Sequence, residues 1–144
     1  METTTDNGAS RLQGLHNIGD AAKASGVSAK MIRHYEAIGL IEAARRTDAG
    51  YRLYSERDVQ VLQFIHRSRE LGFSLEQIKT LLALWQNKQR ASKDVRAMAR
   101  QHIAELDEKI ASMQAMRRTL EQLATRCHGD DRPDCPILDD LSLG

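Results

Sequence analysis

"IGDAAKASGVSAKMIRHYEAIGL", residues 18–40, is the stretch that decides the fold of the N-terminal part of the chain. Alanines at helical spacing in its first third predict a short helix, which the polar, glycine-containing segment SGVS interrupts. Ser28 then predicts the N-cap of a second short helix, and Gly39 predicts its end. Two short helices joined by a tight glycine turn are typical of a helix-turn-helix.

The stretch that follows, RRTDAGYRLY at residues 45–54, predicts a small hairpin, because the turn-forming segment DAG separates two segments suited to strands. A hairpin behind a helix-turn-helix is a wing. Two more helices are expected beyond it, since Ser55 with Asp58 and Ser74 with Gln77 form capping-box pairs ahead of apolar residues in helical rhythm. The sequence therefore predicts a mainly α head that carries a small wing.

A long helix is predicted from Ser92 to about Arg126. Apolar side chains recur in it at steps of three and four, at Ile103, Leu106, Ile110, Met113 and Leu120. At about 1.5 Å per residue this helix is about 50 Å long, and the helices of the head are too short to cover its apolar stripe. We therefore expect a second copy of the chain to cover the stripe in a coiled-coil dimer, rather than the helix folding back on its own head.

The charge of the chain is uneven along its 144 residues. The net charge is +1, but residues 127–144 carry one base and five acids, so the other residues together carry +5. Such a balance permits nucleic acid binding without proving it. The polar first residues lack the pattern of a signal peptide and no apolar run approaches the length of a membrane span, so we expect a cytoplasmic protein without a membrane partner. The sequence also lacks a nucleophile–base pair and a phosphate loop, which argues against an enzyme.

Both cysteines of the chain lie in the segment CHGDDRPDC, residues 127–135. A structural disulfide is disfavoured in the cytosol, and a thioredoxin-like couple needs the spacing Cys-x-x-Cys. Structural zinc and iron–sulfur clusters need more ligands than the two thiolates of Cys127 and Cys135, with His128 expected to face solvent. Two thiolates suit one soft ion of low coordination number, such as Cu(I), Ag(I) or Au(I). A disulfide switch between the two cysteines and a DNA binder without any ligand remain as alternatives.

The segments IGDAAKASGVSAKMIRHYEAIGLI, GYRLY and LGFSLEQIKTLL together resemble the winged head of the MerR family of transcription regulators. The long helix and the segment CHGDDRPDCPIL are similar to those of its copper-efflux, CueR-like branch, and the likeness runs from about residue 16 to residue 140. The resemblance implies four parts. They are a flexible N-terminal extension (1–15), a winged helix-turn-helix DNA-binding domain (16–86), a dimerisation helix (87–126), and a metal-binding loop with a short C-terminal helix (127–144).

The resemblance also implies a homodimer joined by an antiparallel coiled coil. This dimer is expected to bind double-stranded promoter DNA, to act with RNA polymerase and to activate metal efflux or resistance genes. The residues expected at the DNA are Ser28, Lys30, Arg33 and Tyr35 of the second helix and Arg46, Tyr51 and Arg52 of the wing. One monovalent ion per subunit is expected at the two cysteines. Divalent-sensing relatives carry a further cysteine at the start of the dimer helix, where this chain has Ser92, and that departure favours Cu(I), Ag(I) or Au(I) over Zn(II), Hg(II) or Pb(II). Pro133 resembles gold-responsive relatives, so the choice between copper and gold stays open.

Overall fold

The computed structural model describes residues 14–143 and divides into two compact units, one up to Arg90 and one from Ala91. The described residues form three short strands and six helices, which confirms the mainly α prediction. In chain order the elements are β1 (Leu15–His16), α1 (Ile18–Ser25), α2 (Ala29–Ala37), β2 (Arg45–Arg46), β3 (Arg52–Ser55), α3 (Glu56–Glu70), α4 (Leu75–Gln86), α5 (Ser92–Arg126) and α6 (Pro136–Leu143).

The predicted helix-turn-helix is formed by α1 and α2. Helix α1 ends at Gly26, whose φ of +80° lies in the left-handed region that glycine adopts without strain. A Cβ at this glycine would also lie 3.3 Å from the ring of His66, so the turn has little room for a side chain. Helix α2 begins at the predicted N-cap, where Ser28 Oγ accepts a hydrogen bond from the backbone N–H of Met31 at 3.2 Å. Local chemistry thus sets both ends of the turn.

The predicted wing is present, and it belongs to a three-stranded sheet with the order β1-β3-β2. Strands β2 and β3 pair antiparallel, with Arg46 opposite Arg52. The prediction for residue 15 was wrong, because Leu15 lies in β1 and pairs with Ser55 instead of belonging to a flexible extension. A two-residue strand has no periodicity that a sequence can display. The rest of the predicted extension, up to residue 13, lies outside the described residues.

The core of the head lies where one apolar face of each of its helices meets the sheet. Its buried members are Ala21, Val27, Ile32, Tyr35, Tyr54, Val59, Leu62, Ile65, Ile78 and Leu82. Both predicted capping boxes are formed at the starts of α3 and α4, and they position those helices over this core. The ring of Trp85 stacks on Phe64 with centroids 4.6 Å apart, and Arg57 lies over its face.

Helix α5 spans 35 residues, with the bounds that its apolar spacing predicts. Residues 87–91, which the resemblance assigns to the dimerisation helix, lie outside any helix, between α4 and α5. Four of the predicted seam residues are about half exposed or more, from 49% at Ile103 to 63% at Met113, and the fifth, Leu106, is partly buried. The apolar seam therefore lies open on the surface of this chain. Helix α6 packs against α5, and Leu123 near the end of α5 is buried.

Candidate functional site

The two cysteines lie at the facing ends of two helices. Cys127 follows the last residue of α5, and its backbone N–H donates to the carbonyl oxygens of Leu123 and Ala124. Cys135 immediately precedes α6. Both thiols are free and partly buried, and their Sγ atoms are 4.0 Å apart. The seven-residue loop between them therefore brings together the two sulfurs that the sequence predicts as ligands.

Cys135 occupies the N-cap position of α6, because its carbonyl oxygen accepts the backbone N–H of Asp139 at 3.0 Å. The backbone N–H of Leu138 donates to its sulfur, and this bond is the main reason that the pKa of the Cys135 thiol is lowered from its usual value. Partial burial acts in the opposite direction, and a second N–H, from Ile137, adds to the lowering. The start of α6 thus favours the thiolate, the form that binds metals.

The loop between the cysteines is folded by one acidic residue. The carboxylate of Asp130 accepts two hydrogen bonds from Arg132, one from the backbone N–H at 2.9 Å and one from the side-chain Nε–H at 2.9 Å. Gly129, with φ +67°, supplies the left-handed residue that the tight turn requires. His128 is exposed, as expected.

The donors present fit a soft ion of low coordination number. Within residues 14–143 no group of three or more His, Cys, Asp or Glu residues is placed to hold a metal ion, so one chain does not complete a four-ligand zinc site there. Metal–thiolate bonds are about 2.3 Å for zinc, and one ion between sulfurs 4.0 Å apart can therefore contact Cys127 and Cys135 together. Ser92, the predicted selectivity position, is the exposed first residue of α5.

The predicted contact residues of α2 fall into two groups. Ser28, Lys30 and Arg33 are exposed and are available to a partner. Tyr35 is only 5% exposed and belongs to the core of the head, which argues against its predicted DNA contact. The reason is helical spacing, since Tyr35 follows Ile32 by three residues and shares its buried face.

The predicted contact residues of the wing lie on or beside its turn. Tyr51 is 71% exposed, and its backbone N–H donates to Thr47 Oγ1 at 3.0 Å. Arg46 Nη1 donates to the carbonyl oxygen of Gly50 at 2.9 Å, which braces the turn. Arg46 also stands directly opposite Arg52, an arrangement of like charges that disfavours the hairpin unless an anion lies near both.

Glu36 of α2 lies beside the wing and is not among the residues that the sequence predicts for the site. Its Oε1 atom lies 3.4 Å from Arg52 Nε and accepts the hydroxyl of Tyr54 at 3.3 Å. Burial and, next, the Glu36 carboxylate raise the pKa of Tyr54 to about 12. The signal available in the sequence was an acid four residues after Ile32, close to the buried face of α2.

Comparison with known proteins identifies the family. A model described as MerR HTH family regulatory protein matches residues 17–85, and one described as MerR, DNA binding matches residues 59–123. Heavy metal-dependent transcription regulator 2 of Rhizobium meliloti (strain 1021) is 61% identical over 128 residues, which are 89% of this chain and 87% of that protein. The chain belongs to the MerR family. This confirms the resemblance and its winged helix-turn-helix head.

Two further MerR-family proteins are similar to this chain over most of its length. The HTH-type transcriptional regulator CueR of Escherichia coli O6:H1 is 40% identical over 126 residues, 88% of this chain and 93% of that protein. The crystal structure of PbrR691 from Ralstonia metallidurans CH34 in complex with lead(II) superposes with a TM-score of 0.74 at 31% identity, covering 86% of this chain and 97% of that one. MerR-family proteins are transcription regulators that bind promoter DNA, and the relatives of this chain include heavy-metal-dependent regulators. Within residues 14–143 no helix combines the length and apolar character needed to cross a membrane.

Proposed function

We propose that this MerR-family regulator is a metal-responsive activator that binds promoter DNA as a homodimer and holds one Cu(I), Ag(I) or Au(I) ion per subunit. Cys127 and Cys135 are the ligands. The observation that carries the proposal is the pair of free sulfurs 4.0 Å apart, without a third metal-binding group beside them in residues 14–143. The heavy-metal-dependent relatives support a metal as the effector.

Charge supports a monovalent ion. Two thiolates and a monovalent ion carry a net charge of −1, which needs an offset where the site is partly buried. The backbone N–H groups at the start of α6 supply it, because those of Leu138 and Ile137 already point at the sulfur of Cys135. A divalent ion would bring the net charge of the site to zero and would not need these N–H groups to offset a negative charge.

Ser92 supports the same selectivity. Divalent-sensing members of the family carry a cysteine at the start of the dimer helix, where this chain has Ser92. The relative PbrR691 was crystallised with lead(II). A serine hydroxyl is a hard, weak ligand for soft metals. A third strong ligand is therefore missing at the position from which the partner subunit would supply it.

The DNA contacts in this proposal come from two surfaces of the head. Helix α2 enters the major groove with Ser28, Lys30 and Arg33. In the wing, Arg46, Tyr51 and Arg52 contact the neighbouring backbone, since a phosphate between the facing arginines relieves their repulsion and matches their donors.

Dimerisation uses the open seam of α5. Ile103, Ile110, Met113 and Leu120 are each about half exposed or more, and a second copy in an antiparallel coiled coil covers them. A two-fold dimer then reads a two-fold symmetric operator.

The switch couples the ion to the shape of the promoter. Ion binding orders the loop, shifts α5 against the heads and re-spaces the two recognition helices, so that the bound DNA is distorted into a form that RNA polymerase uses. Smooth bending of a short site costs about 1–6 kcal/mol, and allosteric coupling of about 1–3 kcal/mol covers the lower part of that range. Metal efflux or resistance genes are the expected targets.

Reporter transcription across a metal panel tests the proposal. Wild type and the control His128→Gln, which changes the exposed neighbour of Cys127, are expected to respond to Cu(I), Ag(I) or Au(I) and not to Zn(II), Hg(II) or Pb(II). Cys127→Ser and Cys135→Ser are expected to respond to none of them. A strong response to Zn(II) overturns the monovalent assignment, and output that Cys127→Ser leaves unchanged points to a DNA binder without a ligand.

A disulfide switch is the second candidate, favoured by the closeness of the free sulfurs and the activated thiol of Cys135. Hydrogen peroxide would convert the two thiols to a disulfide and leave two molecules of water. Mass spectrometry of the purified protein, with and without Cu(I), separates the two functions. Rapid, reversible loss of two hydrogens that Cu(I) does not prevent, with an oxidant-driven change in transcription, favours the disulfide.

A further inference from the structure

We infer that Glu36 is a positioning residue that fixes Arg52 of the wing against the recognition helix, so that the guanidinium is held ready for the DNA backbone. The inference rests on the proposed contact between Arg52 and DNA. Glu36 itself would not touch DNA, and its action passes through Arg52.

The contacts join two separate elements of the head. Glu36 lies in α2, and both of its donors, Arg52 and Tyr54, lie in β3, 16 and 18 residues further along the chain. The Glu36 side chain is only 12% exposed and that of Arg52 is 27% exposed, so solvent screens this pair less than an ordinary surface ion pair. One carboxylate oxygen thus fixes the distance between the recognition helix and the wing.

The geometry leaves Arg52 able to hold a second anion. Only its Nε–H points to Glu36, and a guanidinium has four further N–H donors on its two terminal nitrogens. Those terminal nitrogens form the fork that fits a phosphate. Without Glu36, the side chain would stand opposite Arg46 with no opposite charge to hold it, and repulsion would turn it away.

The alternative role for Glu36 predicts the opposite sign. If it acts only as a negative charge near the interface, its removal strengthens DNA binding, because phosphates repel it. If it positions Arg52, its removal weakens binding although a negative charge has been lost. The sign of the change in affinity therefore separates positioning from simple electrostatics.

The experiment measures affinity for a duplex recovered from a random-sequence pool by the wild-type protein, over a series of salt concentrations. Arg52→Ala is expected to reduce the slope of log K against log salt by about 0.9, the value for one lost phosphate contact. Glu36→Ala is expected to reduce the slope similarly and to weaken binding about tenfold, as for one charge-assisted hydrogen bond. The double variant is expected to bind no more weakly than Arg52→Ala, because the two residues act as one unit.

Two further variants keep the test decisive. Tyr54→Phe removes the other bond to the same carboxylate oxygen but leaves Arg52 paired, and it is expected to keep the wild-type slope. Glu36→Gln keeps the shape with a weaker, neutral acceptor, and it is expected to bind less tightly than wild type. If thermal unfolding shows that Glu36→Ala does not fold, the sign of the change in DNA affinity in Glu36→Gln decides between the two roles.

Two results overturn the inference in distinguishable ways. An unchanged slope for Arg52→Ala refutes the proposed DNA contact and, with it, the role of Glu36. A reduced slope for Arg52→Ala, together with unchanged or tighter binding by Glu36→Ala and Glu36→Gln, refutes the role of Glu36 alone.

Discussion

The Sγ atom of Cys127 lies 4.0 Å from the Sγ atom of Cys135, although seven residues separate them. The end of α5 fixes the first sulfur, and the start of α6 fixes the second. Their approach therefore depends on the conformation of the loop between them, which Gly129 and Asp130 set. Loop residues that do not contact the proposed metal ion should accordingly affect how tightly the two sulfurs bind it.

Asp130→Ala is expected to weaken metal binding about fivefold, because it removes two hydrogen bonds to Arg132, one of them to the backbone, each of modest net value. Asp130→Asn keeps an oxygen acceptor for the backbone N–H of Arg132 and should lose less metal affinity than Asp130→Ala. Competition with a chelator for Ag(I) measures the affinity. Asp131→Ala is the matched control, since it removes a neighbouring exposed acid, and an equal effect of the control would show that loop charge alone matters.

Leu120→Glu is expected to convert the protein to a monomer in solution. In the proposed coiled-coil dimer, a glutamate in the seam would have to be buried without a partner, which costs several kcal/mol. Sedimentation equilibrium at several protein concentrations gives the molecular mass. Gln122→Glu adds the same charge on the opposite face of α5 and should leave the molecular mass unchanged. A dimer that persists in Leu120→Glu would argue against the seam as the dimer interface.

Tyr54 makes the stability of the head sensitive to alkaline pH. Its pKa in the folded state is about 12, above the ordinary 10, so the folded form holds its proton more tightly than the unfolded form. This contribution, at most about 3 kcal/mol, is fully present below about pH 10 and is lost as the pH rises towards 12. Urea unfolding of wild type and Tyr54→Phe measures it, and the free-energy difference between them should shrink over that interval. A constant difference would show that the hydroxyl titrates normally.

Tyr35→Phe tests whether Tyr35 packs in the core or contacts DNA. Because the ring is buried in the core, the variant should bind DNA as wild type does, whereas Tyr35→Ala should destabilise the head by about 3–5 kcal/mol, as is usual for a deleted core aromatic ring. Thermal unfolding and the DNA affinity are measured on the same samples. A large loss of affinity in Tyr35→Phe at unchanged stability would restore a direct contact through the hydroxyl.

Structural features that depend on a few neighbouring residues were predictable from the sequence. The turn between α1 and α2, the two capping boxes and the bounds of α5 each depend on a few neighbouring residues, and the structure has all of them. Strand β1 was missed, because its partner Ser55 lies 40 residues away and two residues carry no periodic signal.

Residue types and their order were enough to establish the family, the winged head, the long helix and the two sulfurs, since helix caps, turns and heptad spacing act over a few residues at a time. The three-dimensional packing decided the rest. It brought the sulfurs to 4.0 Å, buried Tyr35 and joined Glu36 to Arg52. These relations depend on which faces of distant elements meet when the core closes, and neighbouring residues in the chain do not encode that choice.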